Sequence, residues 1–147
     1  QKELPITDER MTRFMISLDQ GVKLVWHAFK DMMGGEIYVK KIPSMKVVDI
    51  AKVIAPKAKL KLIGIRPGEK LHEQMISSED SYSTFEYSNY YKILPQINNW
   101  KKDKLRIKKG IKLPDGFIYN SNENKKWMTK LELKNWIALN SIKIGKI

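Results

Sequence analysis

Cysteine is absent from the 147 residues, which excludes disulfide staples and thiolate metal sites. Histidine is scarce as well. His27 and His72 stand far apart in the chain, and a metal site needs three or four convergent ligands, so no metal is expected. No apolar run approaches the ~18 residues of a membrane span, and the N-terminus lacks a leader-peptide pattern. With the missing cysteine, this fits the cytoplasm. Glycine-rich phosphate loops are missing too. Neither G-x-G-x-x-G nor G-x-x-x-x-G-K-[ST] occurs, and there is no Tyr-x-x-x-Lys pair. The chain alone therefore builds no recognisable dinucleotide site. It also lacks an initiating methionine, and "QKELPITDER" reads like the interior of a longer protein, so a fragment is expected.

What remains is a chain with a core and an uneven charge. Apolar residues make up 42%, too many for a disordered chain. The net charge is +12. Residues 1–91 hold 14 Lys/Arg against 12 Asp/Glu, whereas residues 92–147 hold 14 against 4. A basic tail suits nucleic acid or an anionic membrane. Yet 24 of the 28 basic residues are lysine, and the tail has one arginine, Arg106. Surfaces that read phosphate favour arginine, so the lysine excess reads as composition, and nucleic acid is not the favoured partner.

The periodicity predicts an α/β fold. "MTRFMI" (11–16) reads as a strand. Ser17 and Gln20 form a capping box for a helix over 18–33, with Val22, Val25, Trp26, Phe29 and Met33 on one face and Gly34-Gly35 as its stop. "EIYVKKI" (36–42) reads as a strand. Ser44 can cap a helix carrying Val47, Ile50, Ala51 and Ile54, ended by Pro56. "AKLKLIGI" (58–65) alternates as a strand, Pro67-Gly68 turns the chain, and "EKLHEQM" suits a short helix. "STFEYSNYYKIL" (83–94) gives two β pieces around Ser88-Asn89. Beyond Leu94 the period degrades, until Thr129 and Glu132 form a second capping box for a terminal helix of about ten residues. Strands alternating with helices argue α/β.

Two arginines stand out. Arg13 lies in a strand, and Arg66 follows the carboxyl end of "KLKLIGI", where ligands of α/β sheets bind. A guanidinium donates two parallel hydrogen bonds to phosphate. Gly68 leaves the backbone open to a ligand, and Glu69 can orient Arg66 or accept from sugar hydroxyls. On the residues alone, Arg66 is either a surface ion pair or an anion site. His72, between Glu69 and Glu73, reads first as an ion-pair partner on a helix surface and second as an acid–base group. His27 reads as an ordinary helix histidine.

"LPITDERMTRFMISLDQGVKLV", "GGEIYVKKIPSMKVVDIAKVIAP" and "IGIRPGEKLHEQMIS" together resemble, in order and spacing, the C-terminal half of the inverting UDP-N-acetylglucosamine 4,6-dehydratases, of the extended short-chain dehydrogenase/reductases. "STFEYSNYYKI" and "GFIYNSNENKKWMTKLEL" fit the same pattern. The resemblance implies a small mixed α/β substrate-binding domain over 1–94, a basic extension over 95–147, and an absent N-terminal domain that binds NADP. It implies a substrate, UDP-N-acetylglucosamine, that loses water across C5 and C6 to give a 4-keto-6-deoxy sugar inverted at C5, for bacterial surface sugars such as pseudaminic acid. It implies that Thr12 and Arg13 help hold the UDP, that Arg66 binds the pyrophosphate and that Glu69 touches the ribose. The cofactor loop and the catalytic residues are missing, so this chain alone holds no cofactor and is expected to be inactive. A homo-oligomer is implied at full length. The alternatives are a basic module for nucleic acid or anionic membrane, and a degenerate standalone domain that works with partners.

Overall fold

Glu3–Ile6 begins the described structure as a strand. The computed structural model describes residues 3–97 and 102–140. In chain order the elements are β1 (Glu3–Ile6), β2 (Thr12–Phe14), α1 (Leu18–Asp31), β3 (Ile37–Lys40), β4 (Ser44–Lys46), α2 (Val47–Ile54), β5 (Lys59–Leu62), β6 (Gln74–Ile76), a 3₁₀ turn (Asp80–Ser83), β7 (Thr84–Glu86), β8 (Tyr90–Ile93), α3 (Lys104–Ile107), β9 (Ile111–Lys112), β10 (Tyr119–Asn120) and α4 (Lys130–Leu139). The expected α/β class holds, with parallel and antiparallel pairs both present.

The chain divides into two units. One takes its described residues from Gln1–Met15, Pro43–Glu73 and Ser121–Ile147; the other from Ile16–Ile42 and Gln74–Asn120. In the first unit β1 pairs with β5 in parallel and β2 pairs with β4 antiparallel, with Arg13 opposite Met45. Met11, Met45, Ile6, Ala51 and Leu133 are buried there. Each of the larger side chains so covered, Met11, Met45, Ile6 and Leu133, contributes about 1.5–3 kcal/mol. The helix α2 packs on α4 and β4. In α4 the Thr129–Glu132 capping box forms as the sequence predicts: Glu132 N–H donates to Thr129 Oγ1, and Thr129 N–H to the Glu132 carboxylate.

The second unit is built on the antiparallel order β3-β8-β7-β9. The expected hairpin around Ser88-Asn89 is β7–β8. Tyr91, Lys92, Ile93 and Leu94 are all buried, so β8 is covered on both faces. The capping box at Ser17–Gln20 starts α1, and the helix ends at Asp31, two residues short of the expected stop. Its apolar residues are less covered than their spacing suggests. Leu18, Val22, Val25, Trp26 and Phe29 are exposed, and no residue of α1 is buried.

Two expectations fail for local reasons, and one strand forms where none was expected. Ser44 does not cap α2. It belongs to β4, fully buried, accepting from Asn124, and Lys46 stands at the cap without a side-chain bond. "EKLHEQM" forms no helix, because the carbonyls of Lys70, Leu71 and Glu73 and the Glu73 N–H are bonded elsewhere and Gln74–Ile76 becomes β6. Glu3–Ile6, without a strong pattern of its own, is a strand because β5 offers it a parallel partner.

Candidate functional site

Thr12, Arg13, Arg66, Glu69 and His72 all lie in the first unit, and the segment that follows β5 carries three of them. Ile63 continues the pairing by donating its N–H to the Ile6 carbonyl. The chain then enters a loop with Gly64 at φ +85° and Gly68 at φ +79°. Both lie in the left-handed region that side chains disfavour, so the loop needs glycine there. Between them stands Arg66. Its N–H donates to Glu69 Oε2 at 3.2 Å, and the Glu69 N–H returns to the Arg66 carbonyl at 3.0 Å. Thr7 Oγ1 donates to Glu69 Oε1 at 3.3 Å, which fastens the turn to the end of β1. Glu69 therefore orients the backbone of Arg66 and leaves its guanidinium alone.

The four arginines separate by what they touch. Arg10 folds back on Asp8 at 2.7 Å, and this hydrogen bond lowers the Asp8 carboxyl to about 2. Arg106 is buried and paired with Glu36. Arg13 donates to the carbonyls of Thr12 (2.7 Å), Leu71 (3.2 Å) and Lys70 (3.0 Å), and its Nε lies 3.3 Å from Glu73. Its Nη groups thus make three hydrogen bonds, and its Nε faces a carboxylate. Arg66 is exposed, and no acceptor among the described residues meets its guanidinium.

Thr12 is inside the unit. At 3% exposure, its hydroxyl lies 2.8 Å from His72 Nδ1 and 2.6 Å from Ser121 Oγ. Its N–H donates to the Leu71 carbonyl at 3.2 Å. Ser121 also accepts from the Glu73 N–H at 2.9 Å, while its own N–H donates to the Glu73 carbonyl at 2.8 Å. His72 is therefore not the ion-pair partner on a helix surface that its neighbours suggested. No helix forms there, Glu73 pairs with Arg13, and the imidazole turns to Thr12. Ser121 escaped sequence reading. It lies 109 residues from Thr12, in the stretch read as a basic extension.

This arrangement has donors to offer an anion. It offers a free arginine on an open glycine loop, and behind it a strand whose bonds fix the following segment. Among the described residues no group of three or more His, Asp or Glu side chains is placed to hold a metal ion. A dinucleotide does not fit either. The parallel pair β1–β5 is followed, after β1, by Thr7-Asp8-Glu9, without glycine and without a helix N-terminus. The basic surplus of residues 92–147 is partly neutralised internally. Lys92 and Lys108 meet Asp31, Arg106 meets Glu36 and Asp103, Lys112 meets Asp115, and Lys130 meets Asp49. No helix among the described residues is long and apolar enough to cross a membrane. His27 packs against Tyr90 at 4.6 Å and Tyr38 at 5.9 Å between ring centroids, as an ordinary helix histidine does.

Comparison with known proteins agrees with the resemblance. The chain is 54% identical over 137 residues to a UDP-N-acetylglucosamine 4,6-dehydratase (inverting) of Campylobacter jejuni, a match covering 90% of this chain and 41% of the relative. A UDP-glucose 4-epimerase of Rickettsia canadensis is 41% identical over 96 residues, covering 63% of this chain and 28% of the relative. Among solved structures, Pen from Bacillus thuringiensis superimposes with a TM-score of 0.76 at 27% identity, over 96% of this chain and 41% of that one. The chain thus spans about two fifths of the length of the dehydratase it matches. A basic module for nucleic acid or membrane gains no support from these likenesses. The model of one family, described as polysaccharide biosynthesis protein, matches residues 1–95, and the chain belongs to that family.

Proposed function

We propose that this chain is the UDP-sugar-binding part of an inverting UDP-N-acetylglucosamine 4,6-dehydratase, a lyase serving bacterial surface-sugar synthesis in the cytoplasm. The observation that carries the reading is Arg66: an arginine without a partner among the described residues, on a loop held open by two left-handed glycines. An exposed guanidinium with all its donors free is suited to a diphosphate. On this reading Arg66 binds the pyrophosphate and Glu69, which already fixes the Arg66 backbone, reaches the ribose. Arg13 and Thr12 act from behind, by holding the segment that carries these groups. The two kinds of relative named above act differently on the sugar, but both names contain a UDP-sugar, so the uridine diphosphate is the part this site would share with them.

The rest of such an enzyme supplies what this chain lacks. NADP does not fit the residues here, so it would be held by the portion of the relatives that this chain does not span, and the homo-oligomer would form at full length. The chain alone binds without turning over. Isothermal titration of the 147-residue chain with UDP and with UDP-N-acetylglucosamine should show similar affinities for both. Arg66→Ala should weaken both by roughly 10- to 150-fold, the cost of a charged hydrogen bond of about 1.5–3 kcal/mol. A chain that binds neither nucleotide at low ionic strength, or an Arg66→Ala variant that binds as well as the parent, would overturn the reading.

A further inference from the structure

A pair of hydroxyls, Thr12 and Ser121, meets the imidazole of His72. Ser121 Oγ accepts from the Glu73 N–H at 2.9 Å and is placed to donate its single hydrogen to the Thr12 carbonyl, 3.2 Å away. In the arrangement that makes every one of these contacts a hydrogen bond, the 2.6 Å contact between the two hydroxyls takes its hydrogen from Thr12. With that hydrogen used, Thr12 Oγ1 can only accept from His72, whose Nδ1 stands 2.8 Å away. In that arrangement Nδ1 carries the proton and Nε2 is the bare nitrogen of the neutral ring.

The bond joins a run of ties that hold the segment that follows Arg66, most of them to β2. Glu69 is bonded to Thr7, Lys70 and Leu71 to Arg13, Leu71 to the Thr12 N–H, and Glu73 to Ser121 and Arg13. Within residues 69–73, His72 supplies the side-chain bond that reaches the buried Thr12. We propose that His72 is a positioning residue of the diphosphate site: as an Nδ1–H donor to Thr12 it holds the Arg66–Glu73 segment in the geometry that binds UDP. The proposal rests on the UDP-binding reading given above. It assigns His72 neither a proton to transfer in the reaction nor a contact with substrate.

Asparagine and glutamine separate this role from a general loss of structure. The Asn side-chain amide places its N–H where the imidazole has Nδ1, whereas Gln places it where the ring has Nε2. His72→Gln and His72→Ala should each weaken UDP binding about tenfold, the loss of one hydrogen bond near the upper end of the usual range. His72→Asn should restore most of that affinity. Circular dichroism would show whether each variant folds, and the ¹⁵N spectrum of the parent reads the tautomer directly, with no ligand present. An Nδ1–H ring together with Asn rescue supports the proposal. An Nε2–H ring overturns it whatever the titrations show. If the parent binds UDP and His72→Gln binds equally well, the positioning role falls while the binding reading stands. If the parent binds no UDP, the binding reading falls and takes this one with it.

Discussion

Lys92 in β8 and Arg66 after β5 carry the same charge in opposite settings. Lys92 is 1% exposed. Its ammonium lies 2.5 Å from Asp31 and 2.8 Å from the Arg106 carbonyl, and faces the rings of Tyr38 and Tyr87 at 5.4 and 5.2 Å. Every part of that cation is answered from within the second unit. Arg66 lies open on its loop, with its backbone fixed and its guanidinium unanswered among the described residues. A buried cation must be neutralised where it sits, because desolvation costs several kcal/mol per ion. An exposed one costs almost nothing to leave free, so its charge remains available to a ligand. Arg13 is intermediate: it is partly buried, donates to the carbonyls of Thr12, Leu71 and Lys70, and faces the Glu73 carboxylate.

The largest expected effect breaks the buried side of this contrast. Asp31→Asn leaves Lys92 without its counter-charge, and should cost about 3–5 kcal/mol in urea unfolding. The pH dependence has the matching sign. Burial pushes the Asp31 carboxyl upward, but hydrogen bonds from Lys108, Lys92 and Tyr38 outweigh it and hold the group well below the usual carboxylate range. The folded state therefore binds this proton more weakly than the unfolded state. The stability it contributes is complete above the unfolded value near 3.8 and is lost as pH falls through the lower folded value. A parent whose unfolding midpoint drops on acidification below about pH 4, beside an Asp31→Asn variant with a flatter profile, is the expected pair of curves.

Arg13→Ala comes next. It removes the donors to three carbonyls and the partner of Glu73, and should destabilise the first unit by about 2–3 kcal/mol. A variant as stable as the parent would show that the Lys70–Glu73 segment is held without it. Gly68→Ala is smaller. Nothing lies within 4 Å of the added methyl group, so the cost is conformational, about 1–2 kcal/mol for a side chain at φ +79°.

Much of this was legible wherever the signal was local. Both capping boxes lie within four residues, and both formed. The β7–β8 hairpin was marked by Ser88-Asn89 between two apolar runs. What escaped depended on distant partners. Ser44 had the right chemistry for a cap, but the pairing of β4 with β2 claimed it first. "EKLHEQM" had a helical composition, yet Arg13 and Ser121 took the carbonyls of Lys70, Leu71 and Glu73. Arg66 and Glu69 could be named because a glycine turn after a strand is a sequence pattern. Ser121 could not, since no pattern links it to Thr12 across 109 residues.

The smallest expected effect tests the free side of the contrast. Arg66→Ala removes an exposed side chain with no partner among the described residues, so the unfolding free energy should move by no more than about 0.5 kcal/mol. That near-silence carries information because the same substitution is expected to remove most of the UDP affinity. Arg66→Lys sharpens it further. A lysine keeps the charge and the exposure but offers a point donor in place of a planar fork, so it should also leave stability unchanged and restore only part of the binding. A fall in stability beyond about 1 kcal/mol in either variant would mean that Arg66 is a structural cation like Arg13, and the contrast with Lys92 would close.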